Sequence, residues 1–238
     1  MAPRARSTAA AHTGSGFTLL TITKLLHRYD GVTVLSVPAF TLARGEHALL
    51  LGPSGSGKST LLHLLAAILQ PQAGRIEIDG IDLAGLAPRI ADAWRGRHVG
   101  LLPQQLALVA SLSVMENVLL PAYASGTPPD LARAAALLLE LGLQDKMAAR
   151  PHQLSQGQRQ RVAIVRAMLN RPRLVLADEP TANLDDDACA TVIALLARQA
   201  SDAGASLLIA SHDARLINAM PSATILRLPA RTEAVCVA

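Results

Sequence analysis

Ala48-Leu49-Leu50-Leu51-Gly52-Pro53-Ser54-Gly55-Ser56-Gly57-Lys58-Ser59 decides how the rest of the chain reads. The short apolar run ending at Leu51 predicts a buried strand, and Leu61 to Leu69 carries helical spacing that stops before Pro71. Between them, Gly52 to Ser59 fits G-x-x-x-x-G-K-[ST]. Phosphate oxygens need many N–H donors at short range. Glycines let the backbone curl inward, the helix N-terminus adds positive potential, Lys58 supplies a point charge and the Ser59 hydroxyl suits Mg²⁺. Gly52, Pro53, Ser54, Gly55, Ser56, Gly57, Lys58, Ser59 and the adjoining Thr60 are therefore the expected nucleotide cradle.

Outward from this loop, Phe17 to Leu51 alternates in the manner of strands, and Arg75 to Asp79 alternates again into the turn pair Asp79-Gly80. A buried strand is expected at His98 to Leu102. Between Leu112 and Pro151 the alternation disappears: Val114 to Leu120 and Asp130 to Leu141 read as helices, punctuated by Pro121, Gly126, Pro128 and Pro129. A helix from Gln156 to about Asn170, a strand at Leu174 to Ala177, a helix from Asp186 to about Ala203 and a strand at Ser206 to Ala210 follow. Helices alternating with short, continuously apolar strands argue for an α/β sheet buried on both faces.

Composition narrows the function classes. Of the 238 residues 50% are hydrophobic and 17% charged, which excludes a disordered or collagen-like chain. Lys and Arg number 22 against 18 Asp and Glu, and Arg4 and Arg6 sit in a tail without acids, so no strong basic field favours a nucleic-acid partner. Cys189 and Cys236 form no disulfide framework and carry no metal-ligand spacing, which fits a reducing compartment; Cys189 is expected in the core. No apolar stretch reaches the length of a membrane span, and Met1 to Gly16 has no apolar signal core.

Leu174-Val175-Leu176-Ala177-Asp178-Glu179 is an apolar strand ending in two acids. In an open parallel sheet the C-terminal strand edge faces the ligand crevice, which places Asp178 beside the phosphate loop to hold Mg²⁺ through water. Glu179, one residue on, is the natural general base for the attacking water. The simpler alternative is an acidic helix cap at a strand exit. Leu154-Ser155-Gln156-Gly157-Gln158 precedes a helix, and Ser155 with Gln158 is a capping-box pattern. A helix start with a hydroxyl, exposed N–H groups and a glycine is also a second phosphate binder, more than one nucleotide needs from one chain. Two chains sharing two nucleotides would use the surplus.

These strings, with Ala182-Asn183-Leu184-Asp185 and Ser211-His212-Asp213, stand in the order and approximate spacing of the ATP-binding subunits of ABC transporters. The chain resembles that family from about Thr18 to Leu228. The resemblance implies an α/β fold: a P-loop NTPase core with a mostly parallel sheet, an N-terminal antiparallel β subdomain and a helical signature subdomain over approximately 112–170. One domain, 17–238, would follow a tail of residues 1–16, with no C-terminal regulatory domain. It also implies ATP and Mg²⁺, and a head-to-tail pair of chains in which Ser155, Gly157 and Gln158 meet the γ-phosphate held by the partner's phosphate loop. Gln104, with Gln105 as a neighbouring competitor, matches a Mg²⁺ ligand alongside Ser59 and Asp178. His212 matches the residue that bonds the γ-phosphate, Asp185 the aspartate linking the two sites, and Tyr29 the aromatic stacked on adenine. Catalysis falls to Glu179, His212 and Lys58.

Two positions depart from the family pattern. Gln156 stands where glycine is common and Pro103 where a hydrophobic or aromatic residue is usual. The helical insert, with Leu112 to Val118 and Leu120-Pro121, is similar to members serving lipoprotein-releasing and macrolide exporters, and the positive mean hydropathy hints at apolar surface covered by a partner. The implied function is an ATP-hydrolysing subunit at the cytoplasmic face of the inner membrane, driving an integral membrane permease. A switch ATPase regulating a membrane-bound cell-envelope machine is the alternative. Soluble relatives acting on ribosomes or DNA carry fused domains or long coiled coils, and no sustained heptads lie between Lys58 and Ser155.

Overall fold

The computed structural model describes residues 18–182 and 184–230. The expectations for the tail, Phe17, Asn183 and Cys236 lie outside the described residues. Strands β1 (Thr18–Tyr29) and β2 (Val32–Ala43) form an antiparallel hairpin through Asp30-Gly31, both at positive φ. β3 (His47–Leu51) leads through the glycine-rich loop into α1 (Lys58–Leu65). β4 (Ala73–Ile78) pairs with β1 and turns at Asp79-Gly80 into β5 (Ile81–Asp82), completing a four-stranded antiparallel sheet of order β2-β1-β4-β5. The expected N-terminal antiparallel unit is present.

The second sheet is parallel throughout. β6 (Val99–Leu102), β7 (Leu174–Asp178), β8 (Ser206–Ser211) and β9 (Thr224–Arg227) assemble with β3 in the order β6-β7-β8-β3-β9. The runs of β3, β6, β7 and β8 are largely apolar because both faces are buried, whereas the edge strand β9 is mostly exposed. Leu49, Leu51, Val175, Ala177, Leu207 and Ile209 enter one core. Ala48, Leu50, Leu174, Leu176, Leu208 and Ala210 enter the other, together with α1 and the antiparallel sheet. Side chains alternate across a strand, so each strand feeds two cores.

The remaining helices are α2 (Pro88–His98), α3 (Val114–Ser125), α4 (Leu131–Glu140), α5 (Gln156–Met168), α6 (Asp186–Asp202) and the short α7 (Arg215–Ala219). Helices α3, α4 and α5 pack on the first core through Val118, Leu138 and Val162 among others. Cys189 is buried there, as expected.

Three local expectations differ from the structure. Pro121 does not interrupt α3, which runs to Ser125 and stops at Gly126 in the left-handed conformation. Val118, Leu119 and Ala122 are buried on either side of the proline, and that burial outweighs the missing N–H. α1 closes at Leu65 rather than Leu69, because Ala67 turns to φ 51. His98 ends α2 rather than opening β6, and its Nδ1 meets the Trp94 carbonyl at 2.8 Å.

Candidate active site

Parallel strands end on the same edge, and their register carries the chemistry there. Leu51 of β3 is level with Ser211 of β8, Leu102 of β6 with Ala177 of β7, and Asp178 with Ala210. The loops after β3, β6, β7 and β8 therefore converge on one cleft of about 400 Å³. Ser54, Gly55, Gly57, Lys58, Ser59 and Thr60 line it together with Gln104, Asp178, Glu179, His212, Tyr29 and Val34.

Gly52, Pro53 and Ser56, the remaining phosphate-loop residues, do not line the cleft. Lys58 is buried, and its Nζ donates to the carbonyls of Gly52 (2.9 Å) and Pro53 (3.1 Å) while lying 3.4 Å from Glu179 Oε1. The buried Ser56 hydroxyl has no hydrogen-bond partner. Gly57 and Gly55 each hold a left-handed φ. Gly57 holds φ 94, and a Cβ there would lie 2.7 Å from the Val34 carbonyl oxygen. Gly55 holds φ 76 with nothing within 4 Å of an added Cβ, so the backbone lies open to a close ligand.

The two carboxylates at the end of β7 are pushed in opposite directions. Asp178 is 8% exposed, and its buried Oδ1 accepts no hydrogen bond. Burial raises its pKa above the ordinary aspartate value, against a smaller lowering by the Ser59 hydroxyl. Glu179 sits at φ 45, its N–H donating to the Ala210 carbonyl at 2.8 Å, so the chain turns its carboxylate into the cleft. Burial pushes Glu179 up, but hydrogen bonds from His212 and Ser211 and the charges of His212 and Lys58 outweigh it and leave it below the usual range. His212 Nδ1 donates to Oε1 at 2.9 Å, and Ser211 Oγ donates to Oε2 at 2.8 Å. The sequence reading places Ser211 beside His212 but gives it no role, because it ends an apolar strand without any spacing signal of its own.

A desolvated carboxylate oxygen without a donor, beside the Ser59 hydroxyl and the Gln104 amide, is a donor set that fits a hard cation such as Mg²⁺. Gln104 lines the cleft, whereas Gln105 lines only a neighbouring depression shared with Pro103 and Gln156. The two departures from the family pattern thus meet in one place. Tyr29 is 47% exposed, its ring edge-on to His27 at 4.9 Å, which sets it apart from a packed core aromatic.

Ser155, Gly157, Gln158 and Asp185 are not part of this cleft. Ser155 caps α5 in a reciprocal box: its Oγ accepts from Gln158 N at 3.2 Å, and Gln158 Oε1 accepts from Ser155 N at 2.9 Å. Ser155, Gln156 and Gly157 are exposed. Asp185 caps α6, accepting from Ala188 N at 2.8 Å. No helix among the described residues is long and apolar enough to cross a membrane.

Comparisons with known proteins give the family. The profile of the ABC transporter family matches residues 35–182. A lipoprotein-releasing system ATP-binding protein LolD 1 of Rhodopirellula baltica is 39% identical over 208 residues, covering 85% of this chain and 91% of its own. A LolD protein of Anaeromyxobacter dehalogenans is 42% identical over 198 residues, covering 82% and 79%. Among solved structures, an ATP-binding cassette dimer in a post-hydrolysis state bound to ADP and Pi superposes with a TM-score of 0.76 at 29% identity, covering 90% of this chain and 97% of that one. The cbiO1 protein of Clostridium perfringens, part of the cbiONQ ABC transporter complex, has a TM-score of 0.77 at 29% identity, covering 89% and 85%. With phosphate loop, acidic strand end and histidine on one sheet edge and the profile spanning the first two, the chain belongs to the ABC transporter family, as one of its ATP-binding, ATP-hydrolysing subunits.

Proposed function

We propose that two copies of this subunit close head to tail around two ATP molecules and drive a membrane partner of the lipoprotein-releasing type. The observation that carries the paired arrangement is the position of Ser155 and Gly157. They stand at an exposed helix N-terminus, outside the cleft built by their own phosphate loop. A second chain supplies what each cleft lacks. Dimeric solved relatives and the names of the curated ones support the same reading.

In each cleft the loop from Gly52 to Ser59 wraps the phosphates, Lys58 adds its charge, and Tyr29 stacks on adenine. Ser59, Gln104 and Asp178 would hold Mg²⁺, which when bound offsets the charge of the β- and γ-phosphates. Glu179 is kept ionised by Ser211, His212 and Lys58, and its carboxylate accepts a proton from the attacking water as ATP yields ADP and phosphate. His212, with 64% of its side chain exposed, is free to present its other ring nitrogen to the γ-phosphate. The segment 112–170 would face the membrane partner, with Tyr123, Leu131 and Leu139 among its exposed apolar residues. That partner places the chain at the cytoplasmic face of the membrane.

The test is complementation. Ser155→Arg and Lys58→Ala chains are each expected to be inactive, and mixing them should restore ATP turnover, because a mixed dimer holds one site with both an intact Lys58 and an intact Ser155. A mixture as inactive as its parents would overturn the shared site. Co-purification of the chain with a multi-spanning membrane protein, and ATP-dependent release of lipoprotein from vesicles, tests the partner.

A further inference from the structure

Arg215 lies outside the cleft-lining set described above, yet its guanidinium stands at the crossing of two loops. It grips the Asp213 carboxylate with one edge of its fork, Nε lying 3.0 Å from Oδ1 and 2.8 Å from Oδ2, with a terminal nitrogen 2.6 Å from Oδ2. The Arg215 N–H also donates to Asp213 Oδ1 at 2.9 Å. Another terminal nitrogen of the fork reaches Asp186 in the first turn of α6. From Asp213 the chain of bonds continues inward: its N–H donates to Ser211 Oγ at 3.1 Å, and Ser211 Oγ donates to Glu179 Oε2 at 2.8 Å. Among the described residues, Glu179 is the only hydrogen-bond partner of the His212 side chain.

An isolated pair between Arg215 and the exposed Asp186 would count for little in water. A planar fork on a carboxylate that is 17% exposed, in a residue whose own N–H bonds Ser211, is a different matter, because it fixes an orientation. The Arg215 hydrogen bond also holds Asp213 below the ordinary aspartate range. We propose that Arg215 is a positioning residue for ATP hydrolysis: by bridging Asp213 and Asp186 it ties the start of α6 to the turn after β8, and through Ser211 keeps Glu179 and His212 aligned. The same bridge connects that alignment to Asp185, the residue next to Asp186 and the one assigned to contact across the dimer. The inference rests on the reading of Glu179 as the base.

A kinetic cycle on the full chain tests it. Arg215→Ala should lower kcat roughly five- to tenfold with KM for ATP and the melting midpoint nearly unchanged, since no group touching the nucleotide is removed. Arg215→Lys keeps the charge but not the fork and should recover only part of the loss. Asp186→Asn should show a smaller loss, and the double variant Arg215→Ala, Asp186→Asn should be no slower than Arg215→Ala alone. Unchanged kcat in Arg215→Ala, additive losses in the double variant, or a loss confined to KM or to the melting midpoint would each overturn the role. Glu179→Gln measured alongside separates the two levels. If it is inactive beside a fully active Arg215→Ala, only the role of Arg215 falls; if it turns over normally, the base assignment falls and takes the inference with it.

Discussion

Replacing Asp178 with asparagine should make the chain more stable without nucleotide while removing the metal-dependent part of its response to ATP. Asp178 is 8% exposed and its Oδ1 has no donor. Leaving a buried polar group unpaired costs about 1–3 kcal/mol, with charged groups at the upper end, and an amide relieves the charged share. Because burial raises the folded-state pKa, the protonated form is the one that favours folding. That contribution is complete below the unfolded aspartate value, about 3.9, and is lost as pH climbs through the raised folded value. At neutral pH the ionised carboxylate therefore opposes folding, and Asp178→Asn should gain about 1 kcal/mol, a rise of about 2–4 °C in melting midpoint for a chain of this size. The gap should narrow toward about pH 4. With ligand the order changes. Binding at a hundredfold excess over Kd adds about 2.7 kcal/mol to the native state, and the share owed to Mg²⁺ should vanish in the variant. Thermal scans of both chains without ligand, with ATP plus a chelator and with ATP plus Mg²⁺, repeated from acid to neutral pH, measure each quantity. A variant that melts below the parent at neutral pH, or keeps the full Mg²⁺ increment, refutes the reasoning.

Glu179→Gln should behave in the opposite sense. It should lose turnover while still binding ATP, and without ligand melt about 1–2 kcal/mol below the parent at neutral pH, because it gives up charge-assisted bonds from Ser211, His212 and Lys58. The lowered pKa means this stabilisation exists above the ordinary glutamate value near 4.3 and fades as pH falls through the folded value, so melting curves of the two chains should converge in acid. Gly57→Ala combines a left-handed φ of 94 with a 2.7 Å approach to the Val34 carbonyl, whereas Gly55→Ala meets only open space at φ 76. The backbone cost of about 1–2 kcal/mol is common to both, so calorimetric titration should show at least about tenfold weaker ATP binding for Gly57→Ala and a clearly smaller loss for Gly55→Ala. Tyr29→Ala should raise KM for ATP about tenfold with kcat little changed, and Tyr29→Phe should restore it, since a stacked base draws on the ring face rather than the hydroxyl.

Much of the site is legible because it is written in short-range chemistry. Gly52 to Ser59, the capping box of Ser155 and Gln158, and the acids closing Leu174 to Glu179 each lie within a few consecutive residues, the range over which backbone geometry depends on residue type. The continuous apolar strands were legible for a related reason: alternate side chains of each strand enter two cores, so no polar face interrupts the run. Where packing competes with local preference, the reading fails. Pro121 looks like a helix stop, yet burial of Val118 and Ala122 carries α3 past it. Helix α2 and strand β9 went unread, since the proline, glycine and arginines of one and the exposed residues of the other resemble loops.

Residue identity and order alone determined the nucleotide loop, the parallel α/β plan and the family. Tertiary structure alone decided which glutamine, Gln104 or Gln105, lines the cleft, how neighbouring carboxylates at 178 and 179 come to differ, and that Ser155 does not line the cleft of its own phosphate loop. Distances between residues far apart in the chain, and the water excluded from around Asp178, arise only when strands align in register. Local composition holds no record of either.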